Sequence, residues 1–244
     1  MNISPSLMFD QGTSTKLNSL GLGYSDGWGR VFHYAYAAGA VGRGKVGVAA
    51  ATIADHNNLS FAVVPAVGDK SVSVTLGGTA VTADQYKDGW LVVQDGTGEG
   101  RAYRIEGHGA QATTTGNVTI YLAEVIDTAS ALAATGTDLI YNKYQSVRPQ
   151  VTTTQTYIPI GVPICVGGLG AAEYGWVQTW GPCAVWQDEA TAGLGEDLTL
   201  GSGTGTGQVE GRDTDVEPLV GSSGPAAGVA DEYQLVYLRL DPTY

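Results

Sequence analysis

The sequence predicts an all-β protein built from short antiparallel strands in a sandwich or barrel. Glycine accounts for 36 of the 244 residues, about twice the roughly 7% of average usage. Charged residues are scarce at 15%. Because glycine and β-branched residues are both poor in helix interiors, this composition favours many short strands joined by tight turns.

The strand pattern is clearest between residues 59 and 140. Four segments there have strand composition and are separated by Gly-Asp, Gly-Gly, Asp-Gly and Gly-Asn turn signals. In the segment SVSVTL, Val72, Val74 and Leu76 alternate with hydroxyl residues, which places the three apolar side chains on one face. The glycine-rich stretch 95–100 joins WLVVQ to RAYRIEG and predicts a hairpin.

Strand patterns also occur on either side of this region. Residues 30–36 (RVFHYAY) are aromatic and β-branched and predict a first strand. Residues 233–240 (YQLVYLRL) predict the final strand, in which Leu235, Tyr237 and Arg239 alternate with Val236, Leu238 and Leu240. Residues 128–135 (TASALAAT) predict one short helical turn. A strand spacing of about 10–15 residues is typical of sandwiches and barrels.

The chain divides in this interpretation into an arm and two β sub-domains. Residues 1–30 are irregular and rich in glycine, which indicates an extended N-terminal arm on a partner or a loosely packed terminus. Residues 31–140 form one β domain, and residues 141–244 form the second. Residues 141–160, with two prolines and a threonine run, bridge the two. The sequence leaves open whether these are separate domains or one interleaved fold.

The net charge of −12 bears on the partners that the chain can have. Nucleic-acid binding depends on Lys and Arg that displace counterions from phosphates, so we expect no direct binding of DNA or RNA. An acidic protein is equally unsuited to anionic membranes. The N-terminus has no basic region followed by an apolar stretch, and no apolar run reaches 18 residues. We therefore expect a soluble, unsecreted protein that is assembled in the cytoplasm.

Two cysteines, Cys165 and Cys183, are present. They could pair in principle, but two are too few for a disulfide framework, and no C-x-x-C spacing suggests a metal. We interpret both as small buried side chains in a reducing compartment.

Glycine-rich stretches resemble nucleotide-binding motifs without meeting their requirements. Residues 39–46 (GAVGRGKV) fit G-x-x-x-x-G-K, but Val46 stands where a phosphate loop needs Ser or Thr. The residues that follow do not favour the helix that such a loop requires. Residues 201–207 and 96–100 lack the strand and long helix of a dinucleotide-binding unit. We interpret all three as turns or loops and expect no cofactor.

The histidines do not suggest a catalytic or metal centre. The chain has three, His33, His56 and His108, and they are far apart in sequence. No spacing suggests a shared metal, and no serine lies in a G-x-S-x-G elbow. We interpret His33, in an apolar strand, as a core histidine, and we place His108 in a turn.

Acidic residues offer the other candidates for chemistry. Three groups could in principle serve glycoside hydrolysis or bind calcium. They are Asp188/Glu189, Glu196/Asp197 and Asp213/Asp215. Only residues 210–217 (EGRDTDVE) approach the density of a calcium loop, and a solvated acidic loop explains them better. The sequence therefore predicts no catalytic, cofactor-binding or metal-binding residue.

Five tryptophans remain to be explained: Trp28, Trp90, Trp176, Trp180 and Trp186. Trp176 and Trp180 are four apart on one predicted strand, so they should face the same side. Aromatic residues on one face serve as a sheet core, a sugar platform or a protein interface. We assign Trp176 to the core and leave an interface role open for the others.

The segment EYGWVQTWGPCAV (Glu173–Val185) carries a family resemblance. It resembles a segment of tailed-phage head decoration proteins, in which a Tyr-Gly-Trp strand precedes a Gly-Pro turn and a short apolar strand. Three other stretches are similar to the same group in the expected order: GRVFHYAYAAGAV, VTLGGTAVTADQYKDGWLVVQDGTGEGRAYRIEGH and IPIGVPI. With the closing ADEYQLVYLRL they span most of the chain.

The resemblance implies a structural, non-catalytic function. It implies a phage capsid protein, homotrimeric, that sits on the outer surface of the virion and clamps neighbouring major capsid protein subunits. It supplies no catalytic residues to carry over.

Two alternatives remain open. A tail-fibre or receptor-binding component would use exposed aromatics on host glycans, although the repeats typical of long fibres are not evident here. A polysaccharide-degrading enzyme would need titratable groups that converge in a pocket.

Overall fold

The computed structural model is all-β, which confirms the predicted fold class. It describes residues 9–10, 12–112, 115–127, 136–150, 155, 157–188, 193–203, 206–226 and 228–243. Within those residues it contains sixteen strands and one short 3-10 helix, Ala54–His56. In chain order the strands are β1 (Gly23–Ser25), β2 (Val31–Ala37), β3 (Gly47–Val48), β4 (Ser60–Val63), β5 (Ser71–Thr75), β6 (Trp90–Val93), β7 (Ala102–His108), β8 (Asn117–Leu122), β9 (Thr137–Ile140), β10 (Arg148–Pro149), β11 (Pro159–Pro163), β12 (Glu173–Trp186), β13 (Asp197–Leu200), β14 (Val209–Gly211), β15 (Gly221–Ser223) and β16 (Tyr233–Arg239). The helical turn predicted at 128–135 lies outside the described residues.

The chain folds into two compact units, and the first is discontinuous. Unit 1 comprises Met1–Ala50 and Lys143–Tyr244, and unit 2 is the segment Ala51–Asn142 between them. The predicted division at 140 lies close to the second junction, but the first 20 residues assigned to the 31–140 domain belong to unit 1. The reason is long-range pairing, because β2 and β3 pair with β12 and β11 rather than with the strands that follow them.

Unit 2 contains a six-stranded antiparallel sheet in the order β4-β5-β8-β7-β6-β9. The sheet curls, and a bridge between Leu59 and Thr137 links the start of β4 to β9, so the two ends of the strand order meet. The alternation predicted in β5 is confirmed, since Val72, Val74 and Leu76 are all buried in one core cluster. The predicted hairpin is also confirmed, because β6 and β7 pair across the turn that begins at Asp95.

Unit 1 contains a ten-stranded antiparallel sheet. Its main path is β10-β3-β11-β12-β16-β15-β13-β14, with β2 on β12 and β1 on β2. Three clusters of buried apolar residues pack on it. The predicted final strand is confirmed as β16, in which Val236 and Leu238 are buried while Tyr237 between them is exposed.

The N-terminal segment lies on unit 1 of its own chain where it is described. Thr13 bridges to Tyr174, and β1 pairs with β2 in register from Gly23 to Ser25. Leu20 is buried with Phe32 and other aromatic residues of the sheet. The arm expected for 1–30 is therefore tied to unit 1 from Thr13 onwards, and Leu20 contributes to a core cluster of that unit.

A bulge in β12 separates two tryptophans that the sequence placed on one face. The pairing with β2 shifts register between Gln178 and Trp180, so the strict two-residue alternation is broken there. Trp176 is buried among aromatic side chains, which confirms its assignment to the core. Trp180 is half-buried, lies outside that cluster and stands opposite Arg239.

Gly181 follows the bulge in β12 and has a positive φ of 82°. A Cβ atom at this position would lie 2.0 Å from the carbonyl oxygen of Gly29. An L-residue would therefore meet both backbone strain and a backbone clash that no side-chain movement relieves. Only glycine fits this close approach.

Replacing Gly181 with alanine should destabilise unit 1. Gly181→Ala is expected to lower the free energy of unfolding by about 2 kcal/mol or more beyond a matched control. The control is Gly27→Ala, because Gly27 has a φ of 77° but no atom within 4 Å of an added Cβ. Urea denaturation of both variants measures the difference, and equal stabilities would contradict the clash.

Candidate functional site

The most distinctive surface of unit 1 is an uncovered apolar stretch of sheet where β12 and β16 lie side by side. On β16, Tyr233, Leu235 and Tyr237 point outward and remain 52%, 40% and 44% exposed. Directly opposite them on β12 stand Trp186, Ala184 and Pro182. We call these six residues the aromatic face. Side chains opposite each other in an antiparallel pair share one side of the sheet, so the six form one continuous surface.

The geometry of the aromatic face is fixed by its neighbours. The rings of Trp186 and Tyr233 meet edge to face, with centroids 4.8 Å apart and planes at 90°. The Tyr233 hydroxyl donates a hydrogen bond to the carbonyl oxygen of Arg43 at 3.1 Å. A Cβ at Gly44 would lie only 2.2 Å from the Tyr233 ring, so glycine there lets the ring pack on the backbone. At the end of the face, Arg239 forms an ion pair with Asp197 at 3.2 Å.

The aromatic face cannot turn inward, because the opposite side of the same strands is already filled. Val236 and Leu238 of β16 and Cys183 and Val185 of β12 occupy a core cluster there. In a strand the alternate residues necessarily point to the other side. The surface is therefore a permanent consequence of strand geometry.

A cavity of about 170 Å³ lies beside the aromatic face within unit 1. Pro182 and Ala184 contribute to both the face and the cavity. The complete lining is Phe9, Arg30, Arg43, Gly44, Val162, Pro163, Ile164, Gln178, Pro182, Cys183 and Ala184. The cavity thus combines apolar walls with two guanidinium side chains.

Both cysteines are free and buried, which confirms their interpretation as small core side chains. Burial raises the pKa of the Cys183 thiol to about 12, although the nearby Arg30 charge acts in the opposite direction. Burial likewise raises the pKa of Cys165. Since the thiolate is the reactive form, neither thiol is suited to act as a nucleophile.

The histidines of unit 2 are buried and satisfied by hydrogen bonds. His108 closes strand β7 rather than lying in a turn, so that prediction is wrong; the ladder continues to it through its pairing with Ile120. Its Nε2 accepts a hydrogen bond from the Tyr86 backbone N–H at 2.9 Å, while its Nδ1 lies 2.8 Å from the Gly109 carbonyl. His56 contacts the Tyr86 hydroxyl at 2.6 Å.

In unit 1, His33 belongs to a cluster that anchors the C-terminal segment. His33 is buried, as predicted, and its ring stacks on Tyr144 with centroids 4.7 Å apart. The Asp241 carboxylate accepts hydrogen bonds from Lys143 and from the Tyr144 hydroxyl. Burial opposes ionisation of Asp241, but these hydrogen bonds outweigh it and hold the pKa of Asp241 well below its ordinary value.

The same cluster contains a hydroxyl, an imidazole and a carboxylate in sequence, the order of a hydrolytic triad. Thr179 Oγ1 lies 3.0 Å from His33 Nδ1, and His33 Nε2 lies 3.8 Å from Asp241. However, Thr179 is fully buried, and its hydroxyl donates to the Asp241 carbonyl oxygen at 2.8 Å. A substrate cannot reach a hydroxyl in this position, so the cluster is structural.

The acidic candidates are engaged in local hydrogen bonds rather than gathered around a centre. In the 210–217 loop, Glu217 accepts hydrogen bonds from the Thr214 hydroxyl and the Asp213 backbone N–H, both at 3.0 Å. Glu210 accepts from Gln155 and Ser202.

The remaining acidic pairs behave similarly. Asp188 accepts a hydrogen bond from the Gly203 backbone, Asp197 pairs with Arg239, and Glu189 lies outside the described residues. Across the part of the chain that the structure describes, no group of three or more His, Cys, Asp or Glu side chains is placed to hold a metal ion.

The glycine-rich segment 39–46 is a turn, as predicted. The Lys45 N–H donates to the Gly42 carbonyl at 3.2 Å, and strand β3 follows instead of a helix. Residues 204–205 of the second glycine motif lie outside the described residues.

Comparison with known proteins identifies no relative of this chain. No protein-family model, curated protein or solved structure matches the chain. None of the helices in the described residues is long and apolar enough to cross a membrane.

Sequence reasoning identified the strands of the aromatic face but not the face itself. The alternation in β16 separates two sets of residues without saying which set is covered. The only available signal was composition, because Tyr233 and Tyr237 both belong to the set that contains Arg239, and arginine favours the wet side of a sheet.

The buried histidine of unit 2 makes a pH prediction possible. Burial lowers the pKa of His108 in the folded protein below that of the unfolded chain. Its contribution to stability is therefore complete above the unfolded pKa of about 6.5 and declines as the pH falls below it. Between about pH 7.5 and 5.5, we expect unit 2 to lose at most about 1.4 kcal/mol per pH unit from this group.

Urea denaturation followed by NMR of the Trp90 indole measures this loss, since Trp90 is the one tryptophan of unit 2. His108→Gln should reduce the pH dependence, because glutamine does not titrate. His33→Gln, in unit 1, should leave the response of unit 2 unchanged. An undiminished pH response in the His108 variant would contradict the assignment.

Proposed function

We propose that this chain is a non-enzymatic structural protein that binds the outer surface of a tailed-phage head and bridges its major capsid protein subunits. The observation that carries the proposal is the aromatic face. Together with the family resemblance of the segment Glu173–Val185, which forms most of β12, it links the similar sequence to an exposed surface.

The aromatic face has the chemistry of a protein interface. Tyrosine and tryptophan supply a large apolar area with a polar tip and are enriched at the energetic centres of interfaces. A run of exposed apolar side chains on a rigid sheet typically marks an interaction site. The rigid β12–β16 pair means that little conformational entropy is lost on binding.

The charge of the chain also supports a role on the outside of a head. A protein of net charge −12 is repelled by packaged DNA and by other acidic surfaces. Its attachment must then come from specific contacts rather than from general electrostatic attraction. A module that binds only the assembled shell stabilises that shell by mass action.

Burial of several candidate catalytic groups supports the proposal of a non-enzymatic role. His33, Thr179, His108 and Cys183 are all buried. Their polar atoms either hold structural hydrogen bonds or have pKa values unsuited to nucleophilic chemistry. We further propose, from the resemblance, that three copies assemble at each binding position.

Localisation on the particle tests the function directly. In cryo-electron microscopy of particles made by the genome that encodes this chain, we expect density for the chain at regular positions on the head lattice. Density at the tail tip, together with binding of the purified protein on a glycan array, would instead establish the receptor-binding alternative. Absence of the chain from purified particles would refute both.

Replacement of one tyrosine tests the role of the aromatic face. Tyr237→Ser is expected to weaken binding to heads that lack the chain by about tenfold or more, because an exposed anchor ring is removed. The matched control is Tyr121→Ser, which removes a tyrosine that is 53% exposed on a strand of unit 2. Co-sedimentation measures both affinities, and equal losses would show that the aromatic face is not the contact.

A further inference from the structure

The cavity beside the aromatic face has a charge opposite to that of the protein as a whole. The chain has 24 acidic and only 12 basic residues. Nevertheless two arginines, Arg30 and Arg43, line this one cavity, and none of the other nine lining residues is acidic. Guanidinium groups that line a cavity are complementary to an anionic ligand.

The two arginines differ in how far their charges are already neutralised. Arg30 is held by Asp26, whose carboxylate lies 2.6 Å from the Arg30 Nε, and it lies over the rings of Phe9 and Phe32. Arg43 is exposed, and no carboxylate among the described residues pairs with it. The guanidinium of Arg43 thus keeps its capacity for a forked pair of hydrogen bonds to an anion.

The walls of the cavity restrict the ligand further. Val162, Pro163, Ile164, Pro182 and Ala184 present apolar surface. A small anion that bound only to the arginines would leave these walls in contact with water. A carboxylate attached to an apolar segment would satisfy both, since its oxygens reach the guanidinium while its neighbours cover the walls.

We propose that this cavity binds the carboxylate of an aspartate or glutamate side chain, presented by a partner polypeptide with apolar residues on either side of it. The shared residues Pro182 and Ala184 make the cavity continuous with the aromatic face. One partner segment can therefore place apolar residues on the face and its acidic residue in the cavity. Only the identification of that partner with a capsid subunit rests on the proposed function.

A phosphate polymer fits the cavity less well than a polypeptide. The acidic surface of the chain repels a run of phosphates, whereas a single carboxylate flanked by apolar residues meets little repulsion. The apolar walls likewise offer nothing to a sugar-phosphate backbone. Binding of nucleic acid in place of a peptide is therefore a separate outcome of the experiment described below.

Two blocked peptides that differ in one charge test the proposal without a phage particle. The probes are acetyl-Leu-Glu-Leu-amide and acetyl-Leu-Gln-Leu-amide, titrated into the full chain. NMR of the arginine Nε–H groups follows Arg43, and NMR of the Ala184 methyl group follows the apolar wall of the cavity. We expect the glutamate peptide to shift the Arg43 and Ala184 signals, with the glutamine peptide binding about tenfold more weakly.

Two arginine variants then test whether the Arg43 charge recognises the peptide carboxylate. Arg43→Gln should abolish the difference between the two peptides, whereas Arg148→Gln, which removes the same charge elsewhere in unit 1, should preserve it. Equal binding of the two peptides, binding of neither, or preserved discrimination in the Arg43 variant would overturn the proposal. A response to a short oligo-dT in place of the glutamate peptide would also overturn it, in favour of nucleic acid.

The same variants separate this proposal from the proposed function. If the wild-type chain discriminates between the peptides but is absent from heads, the capsid role fails and the carboxylate site stands. If the chain decorates heads but Arg43→Gln binds them as the wild type does and the peptides are not discriminated, the carboxylate site fails and the capsid role stands.

Discussion

Unit 1 depends on one long strand, β12, whose backbone hydrogen bonds join segments that are far apart in sequence. Its first half pairs with β2 and β11, and its second half pairs with β16. The bulge after Gln178 and the glycine at 181 let a single strand serve these neighbours in succession. Unit 1 is discontinuous in sequence because β2 and β3, which precede Ala51, pair with β12 and β11, which follow Asn142.

The position of β12 also explains why the aromatic face exists. Beyond the bulge, one side of β12 and β16 packs into the core around Val185 and Val236, so the alternate residues must face outward. Polar side chains at those positions would suit an isolated monomer better, because an apolar surface in water carries a free-energy cost. A partner surface that covers the face would remove this cost for the rings of Trp186, Tyr233 and Tyr237.

Much of the fold could be predicted from local patterns, and the rest could not, for a physical reason. The alternation in β5 and β16 depends only on neighbours in sequence, so Val72 and Val74 were correctly placed on one apolar face and Val236 was correctly separated from Tyr237. The exchange of partners between β2 and β12 depends on contacts across more than 130 residues, which no local pattern encodes. The cavity was beyond sequence reasoning for the same reason, since Arg30 and Arg43 come together with Pro182 only through that pairing.

The two surfaces of unit 1 make complementary demands on a partner. The aromatic face supplies apolar area, which strengthens binding without selecting strongly among partners. The proposed carboxylate site in the cavity adds a requirement for negative charge, since a partner without a carboxylate leaves the Arg43 guanidinium without an anionic partner. An acidic chain adds repulsion toward any generally acidic competitor. Specificity would then come from a single carboxylate in an otherwise apolar segment, because a more acidic segment is repelled and a neutral one loses the pairing with Arg43.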